Sequence, residues 1–400
     1  MALISKRGVS RNGRRLWRAA RFLPTLFALL MLSWACRHKS LGLRQEGSPG
    51  EPNWSIYGGE PRRINYREST VSPPFKHLWT FKATSAIGPT LVAVDGLVCF
   101  ATLDGRLNVL NIATGEKVMK VKSEDGYAAT CAYYGGSLIV ASRYGEKTLG
   151  RYDLESRKYI WKIDAGDIES EPLVTDGSIY VSALYNHVDK YDFESGRKRW
   201  SFKADDQLRS SPALSNGTVV VGCDNGMVYA LDSAEGLLNW NFETGASVFA
   251  TPIIWRDRVY VGSADSVFYA LNIHTGALVW RFYAGRPLYQ TAATNGEVVL
   301  FGASDGTFYC LDALDGSERW QFHAESVIST APLISGELVY FGSLDKHYYC
   351  LRLEGGEEVW KFETKGRVRT SPVVWGKYLL GASEDRFVYA FAHSDSLSTF

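Results

Sequence analysis

Short apolar runs separated by polar turns fill residues 80–400, and the same order of runs returns about every 40 residues. Each unit has a Ser/Thr-Pro start, an apolar strand, a turn, a second strand, an Asp-Gly-type turn, a third strand and a Trp-bearing fourth strand. In the unit that contains Trp240, Asn216-Gly217 and Asn225-Gly226 separate successive strands. Such pairs favour tight hairpin turns because they accept positive φ. The pattern predicts four short antiparallel strands per unit.

Tryptophan sets the period of the repeat. Steps of 39 or 40 residues connect Trp161, Trp200, Trp240, Trp280, Trp320 and Trp360, and earlier register positions hold Trp79 and Met119. Units of this length cannot bury both faces of their sheets alone, so neighbouring sheets must stack. We therefore predict an all-β fold without helices: an eight-bladed β-propeller of four-stranded antiparallel blades over residues 71–400, with tryptophans packed between blades.

The two ends of the repeat complement each other. Residues 76–81 around Trp79 match a fourth strand but have no first three strands before them, whereas the final unit has only its first three strands, at about residues 370–391. We expect the N-terminal strand to complete the last blade and leave residues 392–400 as a tail. Such closure removes sheet edges that promote aggregation.

The first 36 residues have the organisation of an export signal. Seven basic residues and no acidic ones precede the apolar run of residues 22–36, which is shorter than the ~20 residues that span a bilayer. The run ends in Ser33-Trp34-Ala35-Cys36, which resembles a bacterial lipobox. We predict a signal peptide over residues 1–36, lipidation of Cys36 and a flexible tether over residues 37–70. Ordinary cleavage, a retained apolar anchor and an unprocessed soluble protein are the alternatives.

The net charge of the chain and the spacing of its cysteines, histidines and aspartates argue against nucleic-acid binding and against a metal site. Residues 36–400 carry 37 basic and 43 acidic side chains, which gives no general reason to bind nucleic acid. The six cysteines form no CxxC motif and no adjacent pair, and the seven histidines have no metal-ligand spacing. The recurring Asp residues suit turn geometry better than calcium, which takes six to eight oxygens. We expect no catalytic residue, no metal and no cofactor.

The repeat also carries a family resemblance. Tyr229 to Trp240 reads Tyr-Ala-Leu-Asp-x-x-x-Gly-x-x-x-Trp, which resembles the pyrroloquinoline-quinone-type propeller repeat. Quinoprotein dehydrogenases share this repeat with the lipoproteins of the outer-membrane-protein assembly factor B family, and residues 54–59 resemble the start of such propellers. The resemblance covers residues 54–400.

With the lipobox-like end, the resemblance to the assembly-factor family implies a non-enzymatic scaffold held by lipid on the periplasmic face of a bacterial outer membrane. Its partners would be envelope proteins, including a β-barrel assembly component. The alternative is a quinone-dependent dehydrogenase or a small-ligand sensor that uses the propeller channel. The dehydrogenase family implies a vicinal disulfide, and this sequence has no Cys-Cys.

The linkers between one blade's fourth strand and the next blade's first strand provide the candidate site. In a propeller they cluster around one channel mouth, and arginine and aromatic residues are typical of interface hot spots. The predicted partner-binding residues are Leu208, Arg209, Phe249, Tyr289, Arg367 and Arg369. In the assembly-factor family a Leu-Arg pair in one such loop contacts the barrel-assembly partner, and Leu208-Arg209 resembles it. Asp206 stands where that family has a further Leu, and Ser247 and Phe249 where it has acidic residues.

Overall fold

The computed structural model describes residues 53–122 and 131–397. The predicted signal peptide, Cys36 and residues 37–52 of the predicted tether lie outside the described residues. No helix within the described ranges is long and apolar enough to cross a membrane.

Eight four-stranded antiparallel sheets form the blades, which we number 1 to 8 in chain order. Two strands precede the repeats, β1 (Tyr66–Arg67) and β2 (Phe75–Lys82). Blade 1 contains β3 (Val92–Val94), β4 (Leu97–Thr102), β5 (Arg106–Asn111) and β6 (Lys117–Lys122), and blade 2 contains β7 (Ala132–Tyr134), β8 (Ser137–Ala141), β9 (Leu149–Asp153) and β10 (Lys158–Ile163). Blade 3 contains β11 (Leu173–Thr175), β12 (Ser178–Ala183), β13 (His187–Asp192) and β14 (Lys198–Lys203). Blade 4 contains β15 (Ala213–Ser215), β16 (Thr218–Gly222), β17 (Met227–Asp232) and β18 (Leu238–Glu243).

Blades 5 to 8 repeat the arrangement. Blade 5 contains β19 (Ile253–Trp255), β20 (Arg258–Gly262), β21 (Val267–Asn272) and β22 (Leu278–Tyr283), and blade 6 contains β23 (Ala293–Thr294), β24 (Val298–Gly302), β25 (Thr307–Asp312) and β26 (Glu318–His323). Blade 7 contains β27 (Leu333–Ser335), β28 (Leu338–Gly342), β29 (His347–Arg352) and β30 (Glu358–Glu363). The first three strands of blade 8 are β31 (Val373–Trp375), β32 (Tyr378–Ala382) and β33 (Phe387–His393). A short 3-10 turn, Ser394–Leu397, follows β33. The predicted eight-bladed all-β propeller is confirmed.

Burial along each blade follows from radial stacking. The second and third strands are buried on both faces, as in β20 and β21, so their sequences read as continuous apolar runs. The outer strand alternates instead: in β18, Trp240 is buried while Asn239 and Asn241 are exposed. The outer strand therefore supplies both the contact with the next blade and the edge that meets solvent.

Tryptophan packs between blades, as predicted. The Trp240 indole Nε1 donates a 2.6 Å hydrogen bond to the carbonyl of Ile273 in the next blade, and its ring covers Gly276 in the following turn. The same indole bond joins Trp79 to Ile112, Trp161 to Phe193, Trp200 to Ser233, Trp280 to Ala313 and Trp320 to Leu353. Each of these seams is thus sealed by the same contact.

The N-terminal strand closes the ring. β2 pairs antiparallel with β33 from Phe75 opposite His393 to Lys82 opposite Phe387, and Trp79 lies opposite Ala390. This confirms that the strand around Trp79 completes blade 8. The pairing continues through Ala392 and His393, two residues into the predicted tail of residues 392–400, so the tail begins later than the sequence indicates.

The N-terminal segment, which we define as residues 53–70, belongs to the propeller rather than to the predicted tether of residues 37–70. Its backbone carbonyls accept hydrogen bonds from the inner strands of six blades, through the amides of Ala93, Tyr133, Leu214, Ile254, Thr294 and Ile334. β1 also pairs in parallel with β27. Inner strands otherwise leave backbone donors facing the channel, and buried donors need partners. The prediction of a tether is therefore wrong for residues 53–70, because this segment binds through its backbone, which its polar composition does not reveal.

Candidate binding surface

A buried apolar residue anchors each linker of the predicted mouth. Leu208 is fully buried, and Val248, Leu288, Ile328 and Val368 occupy the equivalent place in the next four linkers. Each of those four packs against a glycine that ends a second strand. A Cβ on Gly222, for example, would lie 2.4 Å from Cγ1 of Val248. Leu208 is thus buried in its linker and presents no surface, whereas Arg209, Tyr289, Arg367 and Arg369 beside the anchors are exposed.

Three predicted residues form a row across adjacent linkers. The Arg209 guanidinium carbon lies 5.5 Å from the centre of the Phe249 ring, and that ring lies 6.0 Å from the Tyr289 ring. Arg209 is exposed and Tyr289 is 44% exposed. The structure therefore brings Arg209, Phe249 and Tyr289 together as one aromatic and cationic surface.

Acidic side chains hold Arg209 in place. Its Nη1 lies 2.9 Å from Oδ2 of Asp224, and its Nε lies 3.7 Å from Oε2 of Glu169. Burial raises the pKa of Asp224, while the positive charge of Arg209 opposes the rise. One oxygen of Asp224 is buried without a hydrogen-bond partner in the described part of the chain. Sequence reasoning missed Glu169, which lies in the preceding linker, and Asp224, which lies in the turn after β16, because the repeat pattern does not show that both approach Arg209.

Arg367 and Arg369 lie in the linker between blades 7 and 8 and share Glu384. Each Nε lies 2.6 Å from a different oxygen of that carboxylate. Partial burial raises the pKa of Glu384, but the hydrogen bonds from both guanidiniums outweigh it and hold the pKa below its usual value. The linker that carries buried Ser329 separates this pair from the row at Arg209.

Arg63 of the N-terminal segment is fully buried in the channel. Its guanidinium donates to the carbonyls of Tyr57, Glu171 and Pro212 at 2.7, 3.0 and 3.0 Å. Burial lowers the pKa of Arg63 to about 10. Burial also raises the pKa of Glu171, against the hydrogen bond from Ser211 and the charge of Arg63. This polar cluster was not predicted, since it depends on a segment outside the repeat.

A belt of hydroxyl groups surrounds the same part of the channel. The amides of Glu171, Ser211 and Thr251 donate to the hydroxyls of Ser211, Thr251 and Thr291, each one repeat further on, at 2.8 to 3.2 Å. The Ser211 hydroxyl in turn donates to the Glu171 carboxylate. The belt joins the chain just before the inner strands of blades 3 to 6, and its hydroxyls are buried.

The thiols and acids show no grouping typical of a reactive centre. Cys99, Cys131, Cys223, Cys310 and Cys350 are free and buried, and burial raises the pKa of Cys310 and Cys350 to about 12. These two cysteines therefore act as small core residues of their third strands. Among the described residues, no group of three or more His, Cys, Asp or Glu side chains could hold a metal ion. The turn carboxylates instead accept backbone hydrogen bonds, as Asp265 does from Val267 and Gly245.

One cleft opens at the seam between blades 7 and 8. It has a volume of about 780 Å³ and is lined by Pro74, Phe75, Leu338, Arg352, Val359 and Trp360, among others. At this seam the outer strand of blade 8 is β2, which no turn connects to β33. Trp360 therefore has no glycine turn to cover and packs edge-on against Phe75 at 5.1 Å. The cleft is a consequence of how the ring closes.

These features define a β-propeller built from pyrroloquinoline-quinone-type repeats, with an aromatic and cationic mouth. The sequence model of outer membrane protein assembly factor BamB matches residues 7–211 and again residues 186–396. The chain therefore belongs to this family. No curated protein matches the chain.

Solved structures share the fold at low sequence identity. BamB from Moraxella catarrhalis is 17% identical with a TM-score of 0.69, over 80% of this chain and 99% of that one. The computationally designed Ika8 protein is 16% identical with a TM-score of 0.72, over 79% and 99%. Quinohemoprotein alcohol dehydrogenase from Comamonas testosteroni is 13% identical with a TM-score of 0.74, over 91% and 84%. At such identities the likeness concerns the fold alone.

Proposed function

We propose that this protein is a non-enzymatic scaffold, tethered to a membrane outside the cytoplasm, that binds other envelope proteins through the linker mouth. Family membership supports a role in outer-membrane β-barrel assembly, with a barrel-assembly component as partner and the periplasmic face of the outer membrane as location. The observation that carries the proposal is the row formed by Arg209, Phe249 and Tyr289.

The row is organised before any partner arrives. Asp224 and the Phe249 ring fix the Arg209 guanidinium, and the buried anchors Leu208 and Val248 fix the backbone on either side. Binding through fixed side chains loses less conformational entropy than binding through mobile ones. Arginine and aromatic residues in such a setting are the usual hot spots of protein interfaces.

The test is recovery of envelope proteins by the combined variant Arg209→Ala, Phe249→Ala and Arg369→Ala. Loss of one hot spot weakens affinity by about 2 kcal/mol or more, whereas exposed substitutions shift stability by about 0.5 kcal/mol. We expect the variant to melt normally and to lose its partner. The matched control is Arg319→Ala, Leu314→Ala and Arg352→Ala, which removes two arginines and one large apolar residue away from the mouth and should retain the partner.

If the triple variant of the mouth recovers envelope proteins as well as the unchanged protein does, the binding surface lies elsewhere. Loss of recovery by both variants would show a general effect of surface changes and would also contradict the proposal. The alternative, quinone-dependent oxidation or small-ligand sensing in the channel, has its own test. Stoichiometric uptake of added pyrroloquinoline quinone, with reduction seen by absorbance when an alcohol is supplied, would favour the enzyme over the scaffold.

A further inference from the structure

Basic side chains are concentrated on the outer strands of four consecutive blades. The outer strands of blades 8, 1, 2 and 3 contain ten Lys or Arg residues and no Asp or Glu. Those of blades 4 to 7 contain three Lys or Arg and four Glu. We call the first set the basic arc; its members are Lys76, Lys82, Lys117, Lys120, Lys122, Lys158, Lys162, Lys198, Arg199 and Lys203.

The charges of the basic arc are available to a ligand. All ten side chains are exposed. Lys198 and Arg199 pair with Asp189 and Asp192, but the seven lysines of blades 8, 1 and 2 make no ion pair with any residue in the described ranges. Desolvation, followed by the nearby positive charges of Arg106, Lys117 and Lys122, lowers the pKa of Lys120. Arg106 pairs with Asp104, whereas the three lysines of blade 1 have no ion-pair partner within the described ranges.

An apolar side chain lies within the basic arc. Ile160 of β10 is 52% exposed, and its neighbours along the strand include Lys158 and Lys162. Lysines that flank an exposed aliphatic residue suit the boundary between lipid headgroups and acyl chains, where charge meets phosphate and the apolar group enters the layer. A soluble polyanion offers no place for the Ile160 side chain.

The chain enters the described fold on the same side of the ring. The Asn53 side chain bonds Asp95 of blade 1 and Trp375 of blade 8. Upstream lie residues 37–52 and, before them, the apolar run that ends at Cys36. Sixteen extended residues reach up to about 55 Å. A membrane anchor at the apolar run would therefore allow the basic arc to touch the same membrane.

We propose that the basic arc seats the propeller edge-on against an anionic bilayer, with lysines of blades 8, 1 and 2 on lipid phosphates and Ile160 in the headgroup layer. Each lysine near an anionic surface strengthens attraction about fivefold, within a Debye length of about 8 Å at physiological salt. Edge-on seating leaves the channel mouth formed by the linkers open to a protein partner. Membrane contact through the basic arc and partner binding at the mouth can therefore be tested independently.

The first test uses the full chain reconstituted into vesicles, labelled with an amine-reactive reagent and read by mass spectrometry. One set of vesicles is phosphatidylcholine, the other an equal mixture of phosphatidylcholine and phosphatidylglycerol. We expect slower labelling of Lys117, Lys120 and Lys158 on the anionic vesicles only, with Lys346 and Lys365 of the linker face unchanged. Salt that shortens the Debye length to about 3 Å should abolish the protection.

A charge-matched pair of variants provides the second test. Lys117→Gln, Lys120→Gln and Lys122→Gln remove three positive charges from blade 1 and should reduce the protection of Lys158 and Lys162 on the neighbouring blade. Leu278→Glu, Val279→Glu and Tyr283→Glu change the net charge equally on blade 5, opposite in the ring, where these side chains are 43%, 43% and 72% exposed. That control should keep the protection.

Three results would overturn the proposal. The first is equal labelling on both kinds of vesicle, and the second is equal loss of protection in both variants. The third is protection of the basic arc by soluble polyglutamate but not by anionic vesicles, which would assign the arc to an acidic protein. A melting curve for each variant identifies any that has lost its fold, and single Lys120→Gln then replaces the triple variant.

Discussion

Each docked tryptophan needs a glycine beneath it. Gly276 has a φ of 70°, and a Cβ there would lie 2.7 Å from Cε3 of Trp240. We predict that Gly276→Ala lowers the free energy of unfolding by about 2–4 kcal/mol, from left-handed backbone strain of about 1 kcal/mol plus displacement of the indole. Denaturant unfolding followed by tryptophan fluorescence measures the loss.

Gly177→Ala is the matched control for this effect. Gly177 has a φ of 68°, but no atom lies within 4 Å of an added Cβ. Gly177→Ala should lower the free energy of unfolding only by the backbone strain, about 1 kcal/mol. If both variants lose the same stability, the indole contact contributes nothing and the seams depend on other packing.

Single residues show where sequence reasoning succeeds and where it stops. Glycine four positions before the tryptophan register was visible as a pattern, and it marks the turn that the neighbouring indole covers. Leu208 was assigned to partner binding because the Leu208-Arg209 pair resembles the Leu-Arg pair of the assembly-factor family, yet Leu208 is buried. The polar residues Gln207 and Arg209 on either side of Leu208 indicate alternation along the linker. Only the packing of the linker in the fold shows that Leu208 is the residue that faces inward.

Among the strands, β2 closes the ring by pairing with β33 of the last blade. It supplies the fourth strand of blade 8, and its Trp79 indole joins blade 8 to the Ile112 carbonyl of blade 1. We predict that deletion of residues 1–82 causes aggregation and loss of cooperative unfolding, because β33 and its core would be exposed. Light scattering and a thermal unfolding curve provide the measurements.

Two shorter deletions separate closure from the channel segment. Deletion of residues 1–52 leaves every described contact and should give a stable monomer. Deletion of residues 1–74 removes the N-terminal segment but keeps β2, and should give a less stable monomer. A monomeric, cooperatively folded protein after deletion of residues 1–82 would show that the ring does not need its closing strand.

The N-terminal segment also places a charge inside the channel. Arg63→Met removes hydrogen bonds to three carbonyls and the positive charge near Glu171. Leaving the buried Glu171 carboxylate without its nearby cation, and the three carbonyls without donors, costs about 3–5 kcal/mol. We predict a loss of that order at pH 8, with a smaller loss at pH 5.

The titration of Glu171 explains why the loss of stability is larger at pH 8 than at pH 5. Burial raises its pKa in the folded state, so the fold binds more protons than the unfolded chain, and stability falls as pH rises from the ordinary carboxyl pKa through the raised one. Without Arg63 the pKa rises further and the fall is larger. Urea unfolding at both pH values tests this, and Arg63→Met with Glu171→Gln should lose the added pH dependence. An unchanged pH profile in Arg63→Met would contradict the assignment.

For the whole molecule, periodicity explains which features could be predicted. Blade number, turn positions and ring closure follow from a repeat of about 40 residues that constrains every unit alike. The channel contacts of Arg63, the acids around Arg209 and the cleft at Trp360 arise where the repeat is interrupted or where different blades meet. The basic arc is a property of four outer strands together and is invisible in any one of them.

The attachment of the whole molecule to a membrane is predicted to depend on Cys36. Its lipobox-like context favours lipidation, and a lipid on a short tether suits a folded extracytoplasmic body. We expect Cys36→Ser to abolish incorporation of labelled fatty acid and to leave an unprocessed precursor or release the protein from membranes. Cys310→Ala is the control, since equivalent third-strand positions hold Ala230, Ala270 and Ala390. Unchanged processing and membrane retention in Cys36→Ser would instead favour an uncleaved apolar anchor.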